Sequence, residues 1–166
     1  KQKGWSESTC MIVTSDHGEG LGDHSEPTHG IFAYESTLRV PLIVTGPGIT
    51  PKSVEASVQH IDILPTMLDL AGGTVPGNHK GMSLKPLLYG KAENKEPRDL
   101  YFEAMTASQD RRGAPLTGIL NGSYKYIDLP IPELYDIDKD PGEKENLSEK
   151  RPEVVTDLKK RLSSIS

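Results

Sequence analysis

The residues best suited to chemistry lie in one stretch, Thr14-Ser15-Asp16-His17-Gly18-Glu19-Gly20-Leu21-Gly22-Asp23-His24. It follows the apolar run Cys10-Met11-Ile12-Val13, which reads as a buried strand. A carboxylate and an imidazole side by side at a strand's end can face a bound cation. The strand sets the direction of Asp16 and His17, and the glycines let the backbone turn tightly around the site. Two donors make an incomplete metal site, so other ligands have to come from elsewhere.

Other chemically suggestive residues have plainer readings. The lone cysteine, Cys10, is read as a small buried strand residue rather than a nucleophile. Asp62 is read as a helix N-cap and His60 as a packing or capping histidine. Asp136-Ile137-Asp138-Lys139-Asp140 has the first three acids of a calcium loop. Its sixth position is Pro141 rather than glycine and its twelfth Leu147 rather than glutamate, so a strand end and a Pro-Gly turn explain it better.

The elements that must position these groups follow from periodicity. Residues 9–14 and 40–45 are apolar strands, and their continuous apolar runs predict a sheet covered on both faces. Between them, residues 15–38 form a long functional loop. A short strand is expected over 54–58. A helix follows Asp62, with Pro65 in its first turn, Ile61, Leu64, Leu68 and Ala71 on its apolar face, and Gly72-Gly73 at its end. Leu84 to Leu88 is a short packing segment. Residues 1–8 read as a helix end and a turn.

Past a boundary near Glu96, short strands at 100–103, 116–120, 124–127 and 133–135 predict an antiparallel sheet, with Asn121-Gly122 as a hairpin signal. A last helix starts near Ser148, with Pro152 in its first turn and the stripe Val154, Leu158, Leu162, Ile165. The organisation is thus an α/β segment over 1–95 and a small α+β subdomain over 96–166.

Composition narrows the function. The 166 residues suit one domain, or one lobe with a small subdomain. A hydrophobic fraction of 34% is low for an independent α/β core, as expected of a piece separated from a neighbouring half or of a loop-rich domain. The net charge of −5 argues against broad attraction to nucleic acid. A single cysteine excludes an intrachain disulfide. No apolar run is long enough to span a membrane, and no signal peptide is visible.

The opening stretch resembles the metal-binding segment of sulfatases, in the alkaline-phosphatase-like superfamily. Thr28-His29-Gly30-Ile31-Phe32-Ala33-Tyr34-Glu35 through Arg39-Val40-Pro41-Leu42-Ile43-Val44 is similar to the next sulfatase block. Further resemblances follow at His60-Ile61-Asp62-Ile63-Leu64-Pro65-Thr66-Met67-Leu68-Asp69-Leu70-Ala71-Gly72 and at Gly81-Met82-Ser83-Leu84-Lys85-Pro86-Leu87-Leu88. Glu133-Leu134-Tyr135-Asp136, Asp140-Pro141 and Glu145-Asn146-Leu147 complete the series in family order over nearly the whole chain. The family's Cys-x-Pro/Ser-x-Arg motif, whose cysteine or serine becomes a formylglycine nucleophile, is absent, as are the acidic ligands of its first strand. The resemblance therefore implies the C-terminal part of a sulfatase, inactive without the part that carries the nucleophile.

It also implies roles. Asp16 and His17 would supply two ligands to a divalent cation. Many sulfatases have asparagine where His17 stands, and imidazole suits manganese or zinc better than calcium, which histidine at this place still allows. His29 stands where many sulfatases place a substrate-binding lysine. Protonated, it would contact a sulfate or phosphate oxygen or protonate the leaving group; neutral, it would ligate a second metal. His24 and Asp23 border the pocket or belong to a solvated loop. Arg39 binds the anion or makes a structural salt bridge, and Glu19 orients a ligand or is solvated.

The implied substrate is a sulfate ester of a carbohydrate or aryl group, and the implied partner is the missing N-terminal part. A phosphatase, phosphodiesterase, phosphonate hydrolase or phosphoethanolamine transferase of the same superfamily is the alternative. A non-catalytic metal- or partner-binding module is another. The family is typical of periplasmic, secreted or lysosome-like compartments, and the sequence leaves the compartment open.

Overall fold

The computed structural model describes residues 4, 7–91, 97–110 and 115–165. Most of the helix end expected over residues 1–8, and the boundary expected near Glu96, lie outside them. Packing divides the chain into two units, the first made of 1–14 and 41–97, the second of 15–40 and 98–166.

In the first unit β1 (Met11–Thr14) pairs antiparallel with β2 (Leu42–Thr45), with Val13 opposite Ile43 and Met11 opposite Thr45. Alternation puts Met11, Val13 and Ile43 on one face, and all three are exposed. The expected cover on both faces is therefore missing among the described residues. Cys10 also departs from expectation. It precedes β1 and is exposed, lying against Gly46, where an added Cβ would come within 2.6 Å of its sulfur. Residues 54–58, expected as a short strand, form none.

α2 (Ile63–Leu70) follows a 3₁₀ turn at His60–Asp62. The predicted apolar face is turned outward: Ile61 and Leu64 are exposed, while Pro65 and Thr66 are buried. Polar bonding decides this orientation. Thr66 Oγ1 donates to Asp62 O at 2.6 Å and accepts from Leu84 N at 2.9 Å. Asp62, expected to cap α2, has its carboxylate on Gln59 N and Met82 N instead, each at 2.9 Å. Thus helix and the 81–84 segment are pegged through side-chain oxygens rather than an apolar stripe.

α2 ends as its glycines predict. Gly72 has φ 74°, and its N–H and that of Gly73 reach Asp69 O and Leu68 O at 3.2 and 2.8 Å. The expected packing segment is α3 (Lys85–Leu88), with Lys52 Nζ on Leu87 O at 2.6 Å.

The second unit is an antiparallel meander, β3 (Leu100–Ala104), β4 (Leu116–Asn121), β5 (Tyr124–Asp128) and β6 (Glu133–Asp136), in sequence order. Asn121 pairs with Tyr124, so the two-residue hairpin turn is Gly122-Ser123, one place beyond the predicted signal, with Gly122 at φ 60°.

Period-two alternation gives the meander two covered faces. Ile119, Tyr126 and Leu134 pack under Leu158 and Leu162 of α5 (Pro152–Ile165). Ala104, Leu116, Ile127 and Tyr135 pack against Ala33 and Tyr34, which lead into α1 (Glu35–Leu38). α1 interrupts what reads as one loop over 15–38. α5 begins at Pro152 itself, where a missing N–H costs nothing, not near Ser148. Its stripe uses Val154, Leu158 and Leu162; Ile165 is exposed. A further short helix, α4 (Thr106–Asp110), follows β3.

Candidate metal and anion site

The loop carrying the chemically suggestive residues belongs to the second unit and is folded by nested backbone bonds. Gly18 N donates to Thr37 O at 2.8 Å, Gly20 N to Thr28 O at 2.6 Å and Gly22 N to Glu26 O at 2.8 Å. Glycine is required at the first two places by close approach: a Cβ on Gly18 would lie 2.2 Å from Ser36 O, and one on Gly20 2.5 Å from Glu26 O. Buried Glu26 closes the loop's far side by accepting Ile31 N at 2.8 Å and Phe32 N at 3.1 Å. The sequence reading passed over Glu26, since a single glutamate in a polar loop carries no periodic signal.

This folding brings His17 and His29 together. Their rings stack with centroids 3.7 Å apart at 27°. His29 Nδ1 lies 3.4 Å from both carboxylate oxygens of Glu19. His17 Nδ1 lies 2.8 Å from Gly18 O. A carbonyl only accepts, so Nδ1 carries a proton; in the neutral ring the lone pair is then on Nε2, the tautomer of a metal-ligating histidine.

That Nε2 is 3.6 Å from Asp16 Oδ2. Donors so spaced reach one ion at the usual ~2.1 Å ligand distances. The Asp16 side chain is 86% exposed. Backbone N–H bonds from its own residue and from His17 hold its carboxyl below the ordinary aspartate range, so it is ionised at neutral pH. No group of three or more His, Cys, Asp or Glu suited to a metal ion occurs among the described residues. Asp16 and His17 offer one oxygen and one nitrogen donor, which fit part of a divalent-cation site.

The remaining predicted residues lie in other surroundings. His24, at φ 47°, stacks on Tyr34 with centroids 3.6 Å apart and has Nε2 2.8 Å from Glu143 O. Its Nδ1 is 3.1 Å from Asp23 Oδ2, off the line of a good hydrogen bond. Asp23 also accepts from Lys144 Nζ at 2.7 Å, the main cause of its pKa falling to about 2. Arg39 is exposed at the end of α1, its N–H on Glu35 O at 2.9 Å.

Tyr34 and Tyr135 both donate to Glu133 Oε2, at 2.9 and 3.1 Å, and burial first, then that carboxylate, pushes both phenols up. The acidic run after β6 is a turn. Asp140 N bonds Asp136 O, and Asp140 Oδ2 accepts Lys144 N and Glu145 N, all at 2.8 Å.

The mixed α/β chain, with its antiparallel meander and closing helix, shares the fold of sulfatases of the alkaline-phosphatase-like class. Within that class the chain belongs to the sulfatases: residues 28–166 match the family described as N-sulphoglucosamine sulphohydrolase, C-terminal.

Among relatives, arylsulfatase K of Gallus gallus is 38% identical over 169 residues, covering 96% of this chain and 31% of that protein. The delta 4,5-hexuronate-2-O-sulfatase of Bacteroides thetaiotaomicron is 35% identical over 150 residues, covering 85% and 31%. A solved 2-O GAG sulfatase superposes with a TM-score of 0.84 at 30% identity, covering 98% of this chain and 37% of its own. The chain thus spans about a third of the length of the relatives it matches.

Proposed function

We propose that this chain is the C-terminal part of a metal-dependent sulfuric-ester hydrolase acting on a sulfated carbohydrate. The supporting observation is the convergence of Asp16 Oδ2 and His17 Nε2 beside the stacked His29, in a chain whose relatives are sulfatases. Asp16 and His17 hold a divalent cation together with ligands outside this chain. Bound there, the cation supplies charge stabilisation at the ester oxygen. Gly18 O keeps the His17 proton on Nδ1. His29, backed by Glu19, contacts the sulfate or passes a proton toward the leaving group. His24 and Arg39 remain candidates for the pocket border. The formylglycine nucleophile belongs to the part of the enzyme before this chain.

The substrate class rests on names carried by relatives, a hexuronate-2-O-sulfatase and a 2-O GAG sulfatase. Exposed Met11, Val13 and Ile43 fit a unit that the rest of the enzyme covers. A phosphoryl-transfer enzyme of the same superfamily is the second reading. His17 favours it, since imidazole suits manganese or zinc better than calcium.

The test compares two preparations on an aryl sulfate and a 2-O-sulfated uronide. The longer polypeptide is expected to turn over both, and to lose activity on chelation. This chain alone is expected to be inactive and to bind manganese or zinc with a dissociation constant above roughly micromolar, for want of donors. Tight stoichiometric binding by the chain alone, or a longer enzyme that cleaves only phosphoesters, would overturn the proposal.

A further inference from the structure

A lysine in the middle of a sheet carries the next argument. In Tyr124-Lys125-Tyr126-Ile127 the two tyrosines point toward α5, so Lys125 shares the opposite, loop-covered face with Ile127. Its side chain is 0% exposed. Nζ lies 2.7 Å from Glu143 Oε1 and 3.3 Å from Glu35 Oε1, with the Phe102 ring centroid 5.3 Å away.

Glu143, its side chain 1% exposed, does more than neutralise the lysine. Its Oε2 accepts the N–H of Glu35 at 2.6 Å, and its carbonyl meets His24 Nε2 at 2.8 Å. Both Glu143 and His24 hold left-handed backbone, at φ 50° and 47°, which non-glycine residues keep only when their surroundings impose it.

These groups come from separate parts of the unit: strand β5, the turn after β6, the head of α1 and the 3₁₀ turn at Asp23–Ser25. A buried charged cluster is an expensive way to hold a core, and apolar residues of like volume often serve stability equally well. What charges add is a defined geometry. That geometry reaches the site by a short path. Glu35 opens α1, Thr37 O of α1 accepts Gly18 N at 2.8 Å, and Gly18 O holds His17 Nδ1 at 2.8 Å. At the other end, His24 lies within the loop closed by the Gly20–Thr28 bond, and Thr28 directly precedes His29.

We propose that Lys125, Glu143 and Glu35 form a buried charge clamp that positions the loop bearing Asp16, His17 and His29, making them positioning residues for the cation and sulfate site. The inference rests on the reading of Asp16 and His17 as cation ligands. The clamp itself is read independently, from loop order.

The test uses the longer enzyme with Lys125→Met, Lys125→Met/Glu143→Gln and Glu35→Gln. It reads amide hydrogen exchange over residues 16–38, melting temperature, and the manganese concentration for half-maximal activity. Lys125→Met leaves a buried carboxylate unpaired and lowers the melting temperature. The double variant removes that charge and is expected to recover most of the lost melting temperature.

If the clamp positions the loop, both variants exchange the Gly18 and Gly20 amides at least tenfold faster. Both also need about tenfold more manganese for half-maximal activity. Should Lys125→Met fail to fold, Glu35→Gln, at a side chain 14% exposed, reads the same quantities. Exchange and manganese requirement returning to wild type together with the melting temperature would reduce the cluster to a stability role and overturn the proposal. A wild-type enzyme indifferent to metal would sink the cation reading instead, and the exchange measurement would still decide the clamp.

Discussion

His17 and His29 stack face to face, their ring centroids 3.7 Å apart, and only His17 has its Nδ1 fixed by a backbone carbonyl. The pair therefore divides its work. His17 presents a lone pair at Nε2 toward Asp16, while His29 is turned to the Glu19 carboxylate. Under the proposed function, His17 would bind the cation and His29 would act on the sulfate or the leaving group.

For the first role, replacing Asp16 by Asn or His17 by Ala in the longer enzyme is expected to lower kcat/KM at limiting metal by about 10²-fold or more, as loss of a ligand that stabilises developing charge does. His17→Asn is expected to shift metal preference from manganese or zinc toward calcium, because it exchanges nitrogen for oxygen. Activity titrations with each ion check both. Unchanged preference in His17→Asn would remove His17 from the ligand set.

For the second role, His29→Gln is expected to lower kcat by about 10²-fold, in the usual range for a positioned acid or base. It should also erase one limb of the pH profile of kcat. A loss confined to KM, with both limbs intact, would assign His29 to substrate binding alone.

Acid stability has a stated sign. Asp23 falls from 3.8 to about 2 in the folded chain, chiefly through its hydrogen bond from Lys144. A carboxyl with a depressed folded pKa stabilises the fold above its unfolded value, and that contribution disappears as pH falls through the folded value. Unfolding free energy is therefore expected to fall from about pH 3.8 toward about pH 2, and Lys144→Met to flatten that limb. At neutral pH the substitution should cost under ~1 kcal/mol, since the pair is partly exposed. Urea melts at several pH values measure both; an unaltered acid limb in Lys144→Met would rule the pair out.

Packing of α5 gives a stability prediction. Leu158 and Leu162 are buried against Ile119, Tyr126 and Leu134, whereas Ile165 is exposed. Leu158→Ala is expected to cost about 2–5 kcal/mol and Ile165→Ser less than ~0.5 kcal/mol. Denaturant melts compare the two, and equal losses would contradict the observed face of the helix.

Gly118 is a second packing test. A Cβ there would lie 2.3 Å from Phe102 Cζ and 2.5 Å from Tyr126 O. The ring can turn away but the backbone oxygen cannot, so Gly118→Ala is expected to cost about 1–3 kcal/mol. Gly118→Ala/Phe102→Leu should recover only part of that loss. Full recovery would place the whole strain on the ring.

Several features were legible in the residues alone. The strands of the meander follow from period-two alternation with turn residues between them, and the break after α2 from Gly72-Gly73. Asp16 and His17 stand out as candidates because neighbouring unlike donors after an apolar strand are a chemical pattern needing no long-range information. The sequence also determined that Lys125 and Ile127 share a face, since side-chain direction in a strand is local.

Only the tertiary structure decided which faces are covered. The spacing of Ile61, Leu64, Leu68 and Ala71 predicts a buried face for α2, yet bonds from Asp62 and Thr66 to distant backbone turn Ile61 and Leu64 outward. Lys125, between two tyrosines in β5, is enclosed by the carboxylates of Glu35 and Glu143, which come from remote segments. The stacking of His17 on His29 likewise depends on Gly18 meeting Thr37 and Gly20 meeting Thr28. Periodicity records local side-chain direction, whereas burial and ion pairing depend on which remote segment closes over each face.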